Sequence, residues 1–240
     1  MKVINYLLGY KDMYIAQDTE MFNFSLDSVL LPNFVKINKK INKILDIGCG
    51  NAPIPLILST KTNASIIGVE IQKEVYLLAQ ESVKINKLEE QIKIFNSDIN
   101  ELYKTFEHSS FDLITCNPPY FRYQEDSNIN KSDYKTIARH EITLNLDQIM
   151  KISKYLLNNL GSICLVHRPE RLSDIIDSMK KYNIEPKRIQ FIQPSKDKEA
   201  NILLIEGVKN GRPGVKVLPT IISHENGDYS EEIKKYFVNN

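Results

Sequence analysis

Asn117-Pro118-Pro119-Tyr120 stands directly after the apolar run Phe111–Cys116, which puts a stiff polar loop at the carboxyl end of a buried-type strand. Two successive prolines fix φ and remove two backbone donors, so the Pro118 carbonyl is left as an acceptor with little local competition. The Asn117 side-chain oxygen adds a second acceptor. A planar amine offers two N–H groups, so this pair suits an NH2 on a flat ring or an amide. Tyr120 supplies a face for such a ring to stack on. Pro119 belongs to the same substrate-binding loop, and Phe121 is either a second stacking surface or a core residue.

A second chemistry precedes it in the chain. Asp46-x-Gly48-x-Gly50 follows a short strand, and glycine removes the Cβ that would keep a ligand from the backbone. A nicotinamide dinucleotide site wants a third glycine where this chain has Pro53, and no Gly-x-x-x-x-Gly-Lys-Ser/Thr loop exists, so both nucleotide alternatives weaken. Glu70 ends the second strand and Asp98 follows the third. Both carboxylates then project on the side of the glycine loop, where Glu70 can accept from two ribose hydroxyls and Asp98 from an adenine amine. Each taken alone has an ordinary explanation as a strand-end or helix-start carboxylate. Four such features at the ends of four successive strands are harder to explain that way.

Those features need a scaffold of alternating strands and helices. Strands are expected at Lys43–Ile47, Ala64–Glu70, Gln91–Phe95, Phe111–Cys116 and Ser162–His167, with helices near 54–58, 73–86, 146–158 and 171–182. Pro53 and Pro55 fit a first helical turn. Arg188–Ile192 and Asn201–Val208 flank a connection too short for a crossover helix, so they form an antiparallel hairpin. The expected fold class is α/β, a doubly wound, mostly parallel sheet that places ligands at the carboxyl ends of its strands. Phe121 to His140 reads as a loop over the site, and Ser25 is placed to cap a helix beginning at Leu26, with Asp27 in its first turn.

Composition narrows the rest. The three cysteines, Cys49, Cys116 and Cys164, sit in apolar runs without Cys-x-x-Cys spacing, and the four histidines are scattered, so core thiols and no metal site are expected. No apolar stretch approaches a membrane span and the start lacks a signal-peptide pattern, which leads to an expected cytoplasmic location. Against 31 basic and 30 acidic residues overall, Ile44 to Pro119 holds 6 basic and 10 acidic, leaving 25 basic and 20 acidic elsewhere. Such an excess suits a nucleic-acid partner if its residues share a face. Arg168, Arg171, Lys180, Lys181, Lys187 and Arg188 are the candidate phosphate contacts, each with solvated surface charge as the plainer explanation.

Taken together, the motifs from Lys43 to Val208 resemble the class I S-adenosylmethionine-dependent methyltransferases, and the tetrapeptide resembles their amino-methylating branch. Phe22-Asn23-Phe24-Ser25-Leu26-Asp27-Ser28-Val29-Leu30-Leu31, Arg139-His140-Glu141, His167-Arg168-Pro169-Glu170-Arg171 and Asn210-Gly211-Arg212-Pro213-Gly214 resemble the bacterial tRNA1(Val) adenine-37 N6-methyltransferase family. Asn51-Ala52-Pro53 departs from the commoner, glycine-richer loop.

The resemblance implies a Rossmann-like domain over residues 43–240, with residues 1–42 folding over the cofactor. It also implies S-adenosylmethionine held by Asp46, Gly48, Gly50, Glu70, Asp98 and Asn117, joined by Gln17, Ser25 and Asp27. Catalysis falls to Asn117, Pro118 and Tyr120, and a tRNA meets Pro119, Phe121, Arg139, Arg168 and Arg171. The expected enzyme is a monomer without a metal. A glutamine-amide methyltransferase acting on release factors is the competing function, since an amide NH2 presents the same two donors. Those enzymes usually carry a helical substrate domain before the core, and with only about forty residues ahead of the first strand here, RNA is the expected substrate. A scaffold that has lost catalysis is disfavoured by retention of all four motifs.

Overall fold

Lys43–Ile47 (β3) is buried along nearly its whole length, so it reads as apolar on both faces and takes the middle of a sheet. In this computed structural model, which describes residues 1–10, 12–20, 25–118 and 144–238, β3 lies between Ser65–Glu70 (β4) and Phe111–Cys116 (β6), parallel to both. Ile92–Asn96 (β5) extends the sheet beyond β4, and Leu157–His167 (β7) extends it beyond β6. Ile202–Lys209 (β9) is inserted antiparallel between β7 and Ile184–Gln193 (β8). The order β8-β9-β7-β6-β3-β4-β5 is the doubly wound sheet with an antiparallel hairpin that the sequence led us to expect.

The connections are right for parallel pairing. Pro53–Ser59 (α2), Lys73–Ile85 (α3), Leu146–Leu156 (α5) and Leu172–Lys181 (α6) each follow a strand, and short Ile99–Leu102 (α4) follows β5. Two apolar clusters cover the sheet faces. One gathers Ile44, Ile66, Leu113 and Leu204 with α2; the other gathers Leu45, Ile114, Leu165 and Leu203 with α5 and α6. Asn145 caps α5 by accepting from the Gln148 N–H while Gln148 bonds back to the Asn145 N–H, so that helix starts at one defined residue.

Four local details differ from the sequence expectation. Asp27–Phe34 (α1) begins one residue late: Leu26 is already helical and makes no side-chain cap, and the first turn closes on the Ser25 carbonyl, which accepts from Ser28 N–H at 3.0 Å. Strand β7 starts at Leu157 rather than Ser162, with Leu160 at φ 64 in an irregular stretch where β6 and β7 shift register. Pro186 lies inside β8, at a register shift that accommodates its missing donor. Lys216–Val217 (β10) and Ile221–Ile222 (β11) add short parallel pairs to β8, so the hairpin strand is not the sheet's edge.

The ends of the chain pack into the same core. Lys2–Tyr6 (β1) and Tyr14–Asp18 (β2) form a hairpin seated on α3, and α1 lies over the sheet. Leu7, Ile15, Leu30 and Leu31 share a cluster with Ile44, and so does Ile233 of Glu231–Val238 (α7), which follows a small hairpin of His224–Glu225 (β12) and Asp228–Tyr229 (β13). No helix among the described residues is long and apolar enough to cross a membrane.

Candidate functional site

Strand β3 leads straight into Gly48-Cys49-Gly50-Asn51-Ala52 before Pro53 opens α2. Gly48 at φ 68 and Gly50 at φ 57 occupy the left-handed region that glycine enters without a steric penalty. A Cβ at either would meet nothing within 4 Å, so the space above the loop is open to a ligand. Two backbone bonds pin the loop to the neighbouring strand, from Gly48 N–H at 2.9 Å and Cys49 N–H at 3.0 Å to the Val69 carbonyl.

Glu70 ends β4 and is 6 % exposed. Its Oε2 accepts from Gly50 N–H at 3.1 Å and its Oε1 from Gln72 N–H at 2.8 Å. The carboxylate therefore holds the loop as well as facing the site, a role the sequence did not disclose. Each carboxylate oxygen has a second lone pair, so these bonds leave capacity for hydroxyl donors.

Asp46 is fully buried beneath the loop. Its Oδ1 accepts from the Thr115 hydroxyl at 2.6 Å, while Oδ2 has no hydrogen-bond partner. Burial pushes this carboxyl up to about 7 against the opposing Thr115 hydrogen bond, and the nearby Glu70 charge adds to the rise. A buried polar atom without a partner is uncommon enough to mark a place where a donor is missing.

Asp98 follows β5 and caps α4, its Oδ1 accepting from the Asn100 N–H at 2.8 Å and from the Asn100 side-chain amide at 2.9 Å. Beside it runs a narrow crevice lined by Gly48, Val69, Ile71, Ser97, Asp98, Ile99 and Leu144. Its apolar walls, from Ile71, Ile99 and Leu144, carry no sequence motif that would have pointed to them. Apolar walls with one carboxylate at the rim suit an apolar ring that carries a donor, such as a purine. The open glycine cradle, the orphaned Asp46 oxygen and this crevice together fit the nucleoside cofactor that the resemblance implies.

Asn117 follows β6, next to β3 in the sheet, and is half-buried with its Nδ2 at 3.5 Å from the Ser28 hydroxyl. Pro118 is buried. Helix α1 thus reaches the site and brings Asp27, 8 % exposed, into the same neighbourhood, with Ser25 half-buried before it. Gln17 is buried on β2, where its Oε1 accepts from the Asn5 amide at 2.8 Å. Pro119, Tyr120, Phe121 and Arg139 lie outside the described residues.

The basic candidates separate. Arg168 follows β7 and donates through Nη1 to the Asn201 carbonyl at 2.8 Å; Arg171 donates to Asp174 at 2.7 Å with its side chain 17 % exposed. His167 is buried at the end of β7, its Nδ1 accepting from Arg168 N–H, and burial together with the charges of Arg171 and Arg168 lowers its pKa to about 4. Arg188 is turned inward and bonded to Glu206 and the Phe34 carbonyl, so it offers no charge to solvent. Lys180 and Lys187, paired with Glu185 and the Arg212 carbonyl, sit near the start of β8, away from the glycine loop. Lys181 is paired with Asp147. Among the described residues no three His, Cys, Asp or Glu side chains are grouped as a metal site, and Cys49, Cys116 and Cys164 are buried, with burial raising each thiol's pKa.

The model of the methyltransferase small domain matches residues 26–172, from the start of α1 to the start of α6. The chain belongs to that family. Among its relatives is a protein of Parabacteroides distasonis named tRNA1(Val) (adenine(37)-N6)-methyltransferase, 29 % identical over 82 % of this chain and 81 % of its own. A protein of the same name from Flavobacterium psychrophilum is 24 % identical over 89 % of this chain and 92 % of its own. In fold, the chain is similar to a predicted O-methyltransferase from Agrobacterium tumefaciens, with TM-score 0.70 at 17 % identity, covering 88 % of this chain and 95 % of the other. It is also similar to geranyl diphosphate C-methyltransferase from Streptomyces coelicolor solved with S-adenosyl-L-homocysteine, with TM-score 0.57 at 9 % identity, covering 76 % and 78 %. As a member of the small-domain family, the protein is an enzyme that transfers methyl groups.

Proposed function

We propose that this methyltransferase uses S-adenosylmethionine to methylate the N6 amine of an adenine in tRNA, with adenine 37 of tRNA1(Val) as the target named for its relatives. The observation that carries the reading is the meeting of Asp46, the glycine loop, Glu70, Asp98 and Asn117 at the carboxyl ends of four neighbouring strands. Residues 43–240 form the catalytic domain in this reading, and residues 1–42 cover the cofactor through Gln17, Ser25 and Asp27. The enzyme works as a cytoplasmic monomer.

When bound, the cofactor supplies an electrophilic methyl group on a sulfonium. Glu70 accepts the ribose hydroxyls, Asp98 the adenine amine of the cofactor, and the Asp46 Oδ2 a donor from the cofactor or from a water bound with it. The Asn117 oxygen and the Pro118 carbonyl accept the two N–H groups of the target amine. That reduces the conjugation of its nitrogen with the ring and orients the lone pair. Tyr120 stacks on the base, which must leave its own stack at a cost of a few kcal/mol. The extra proton on nitrogen departs to water after transfer, so no dedicated base is required.

Incubating the protein with labelled S-adenosylmethionine and either total tRNA or release factor, then digesting the product, tests this directly. Label in N6-methyladenosine is expected. Label in a methylated glutamine would transfer the assignment to the amide reading.

A further inference from the structure

Among the described residues, strand β2 pairs with another strand on only one of its edges. Ile15 and Gln17 face β1, opposite Asn5 and Val3. The other edge carries the main-chain groups of Tyr14 and Ala16, which an unpaired edge would leave unsatisfied against the body of the protein. Three side chains take the place of a strand there. Asn86 accepts from Tyr14 N–H at 2.9 Å and donates to the Tyr14 carbonyl at 2.6 Å. The Ser82 hydroxyl accepts from Ala16 N–H at 2.9 Å. The Asn51 amide donates to the Ala16 carbonyl at 2.9 Å. Ser82 belongs to α3 and Asn86 follows it, but Asn51 belongs to the glycine loop.

Asn51 is 7 % exposed and Ala16 is fully buried, so water cannot readily replace this bond once it is lost. The residue after Asn51, Ala52, sits at φ 73 without being glycine, a conformation that neighbouring contacts must sustain. The loop is therefore held on two sides, by Glu70 through Gly50 N–H and by the hairpin through Asn51. We propose that Asn51 is a positioning residue that couples seating of the N-terminal hairpin to the cofactor-binding form of the glycine loop. The inference rests on S-adenosylmethionine occupying that loop. Asn86 gives an independent handle, because its hydrogen bonds go to Tyr14 and Ser82 and none to the loop.

The test uses the full chain, with S-adenosylmethionine affinity read by calorimetry and the hairpin read by hydrogen exchange at Ile15 and Gln17. In the wild type the cofactor slows exchange at both amides. Asn51→Ala should weaken affinity about ten-fold and abolish that slowing, whereas Asn51→Gln, which keeps an amide donor, should recover part of both. Asn86→Ala should also weaken affinity, several-fold, although it removes hydrogen bonds to the hairpin and to the end of α3 and none to the loop. Asn51→Ala with wild-type affinity overturns the coupling. So does lowered affinity with the cofactor-induced slowing intact, and so does unchanged affinity in Asn86→Ala. A wild-type chain that binds no S-adenosylmethionine removes the cofactor reading itself, and the inference with it.

Discussion

Asp46 on β3 and Glu206 on β9 lie on one cross-strand row of the sheet, running Asp46, Thr115, Cys164, Glu206, Arg188. At the far end of the row Glu206 meets Arg188, whose guanidinium also donates to the Phe34 carbonyl at 3.0 Å and lies 4.3 Å over the Phe34 ring. At the near end Asp46 has one hydroxyl and one oxygen left over. Asp46 is fully buried, the Glu206 side chain is 14 % exposed beside the buried Arg188, and none of these charges is cheap to bury. The difference teaches where to look for function. A buried charge closed by its own partners belongs to the framework, and one left open beneath a glycine loop is where the proposed cofactor site would place a donor.

The sharpest way to break the comparison is Glu206→Ala. Leaving Arg188 buried without its anion should cost about 3–5 kcal/mol of stability by denaturant unfolding. Replacing both partners with apolar residues of similar volume should restore most of it. A single-mutant loss under about 1 kcal/mol would mean that the pair is not framework.

At the site end the pattern should invert. Asn117→Ala is expected to lower single-turnover rate by about 100-fold or more, near 3 kcal/mol of transition-state stabilisation, with cofactor affinity within a few-fold and stability little changed. Wild-type turnover would remove Asn117 from the mechanism.

A smaller effect concerns Asp46 and pH. Its carboxyl stands at about 7 in the folded chain, chiefly through burial, against about 4 unfolded. Because the folded value is raised, the native state holds the proton more tightly. That contribution to stability is present below about pH 4 and is lost as pH rises through about 7. Asp46→Asn should therefore gain stability relative to wild type across this window in the absence of cofactor. Parallel pH–stability curves for the two proteins would show that Asp46 is ionised throughout.

The smallest effect should come from Arg168→Ala, which should flatten the log–log dependence of tRNA affinity on salt by about one unit and leave cofactor affinity alone. Arg171, held by Asp174, should change the slope less. An equal or larger change from Lys187→Ala would move the RNA footprint toward the start of β8.

Much of this was legible in the chain. Three of the strands at the candidate site announce themselves as short apolar runs leading to Gly48, Glu70 and Asn117, because a parallel sheet buries both faces of its inner strands, whereas β5 ahead of Asp98 is a partly exposed edge with a weaker pattern. Less legible were the boundaries. Ser25 has the right type for a cap, yet the first turn of α1 closes on its main-chain carbonyl and the helix is bounded at Asp27, a one-residue difference that residue type alone does not set.

What the sequence determined by itself was residue type and order: a pair of candidate acceptors after one strand, a loop with two glycines after another, carboxylates at strand ends, and an alternation that points to a wound parallel sheet. What tertiary structure decided was which charges are used up. Arg188 reads as a surface cation in the chain, yet its guanidinium is spent on the carbonyl of Phe34, 154 residues away, and on Glu206. Asn51 reads as a lapse in a glycine-rich loop, and only folding brings the Ala16 carbonyl to it. Residue type sets which hydrogen bonds and ion pairs are possible. Only the folded chain, by bringing distant segments within about 3 Å and excluding water, selects those that form.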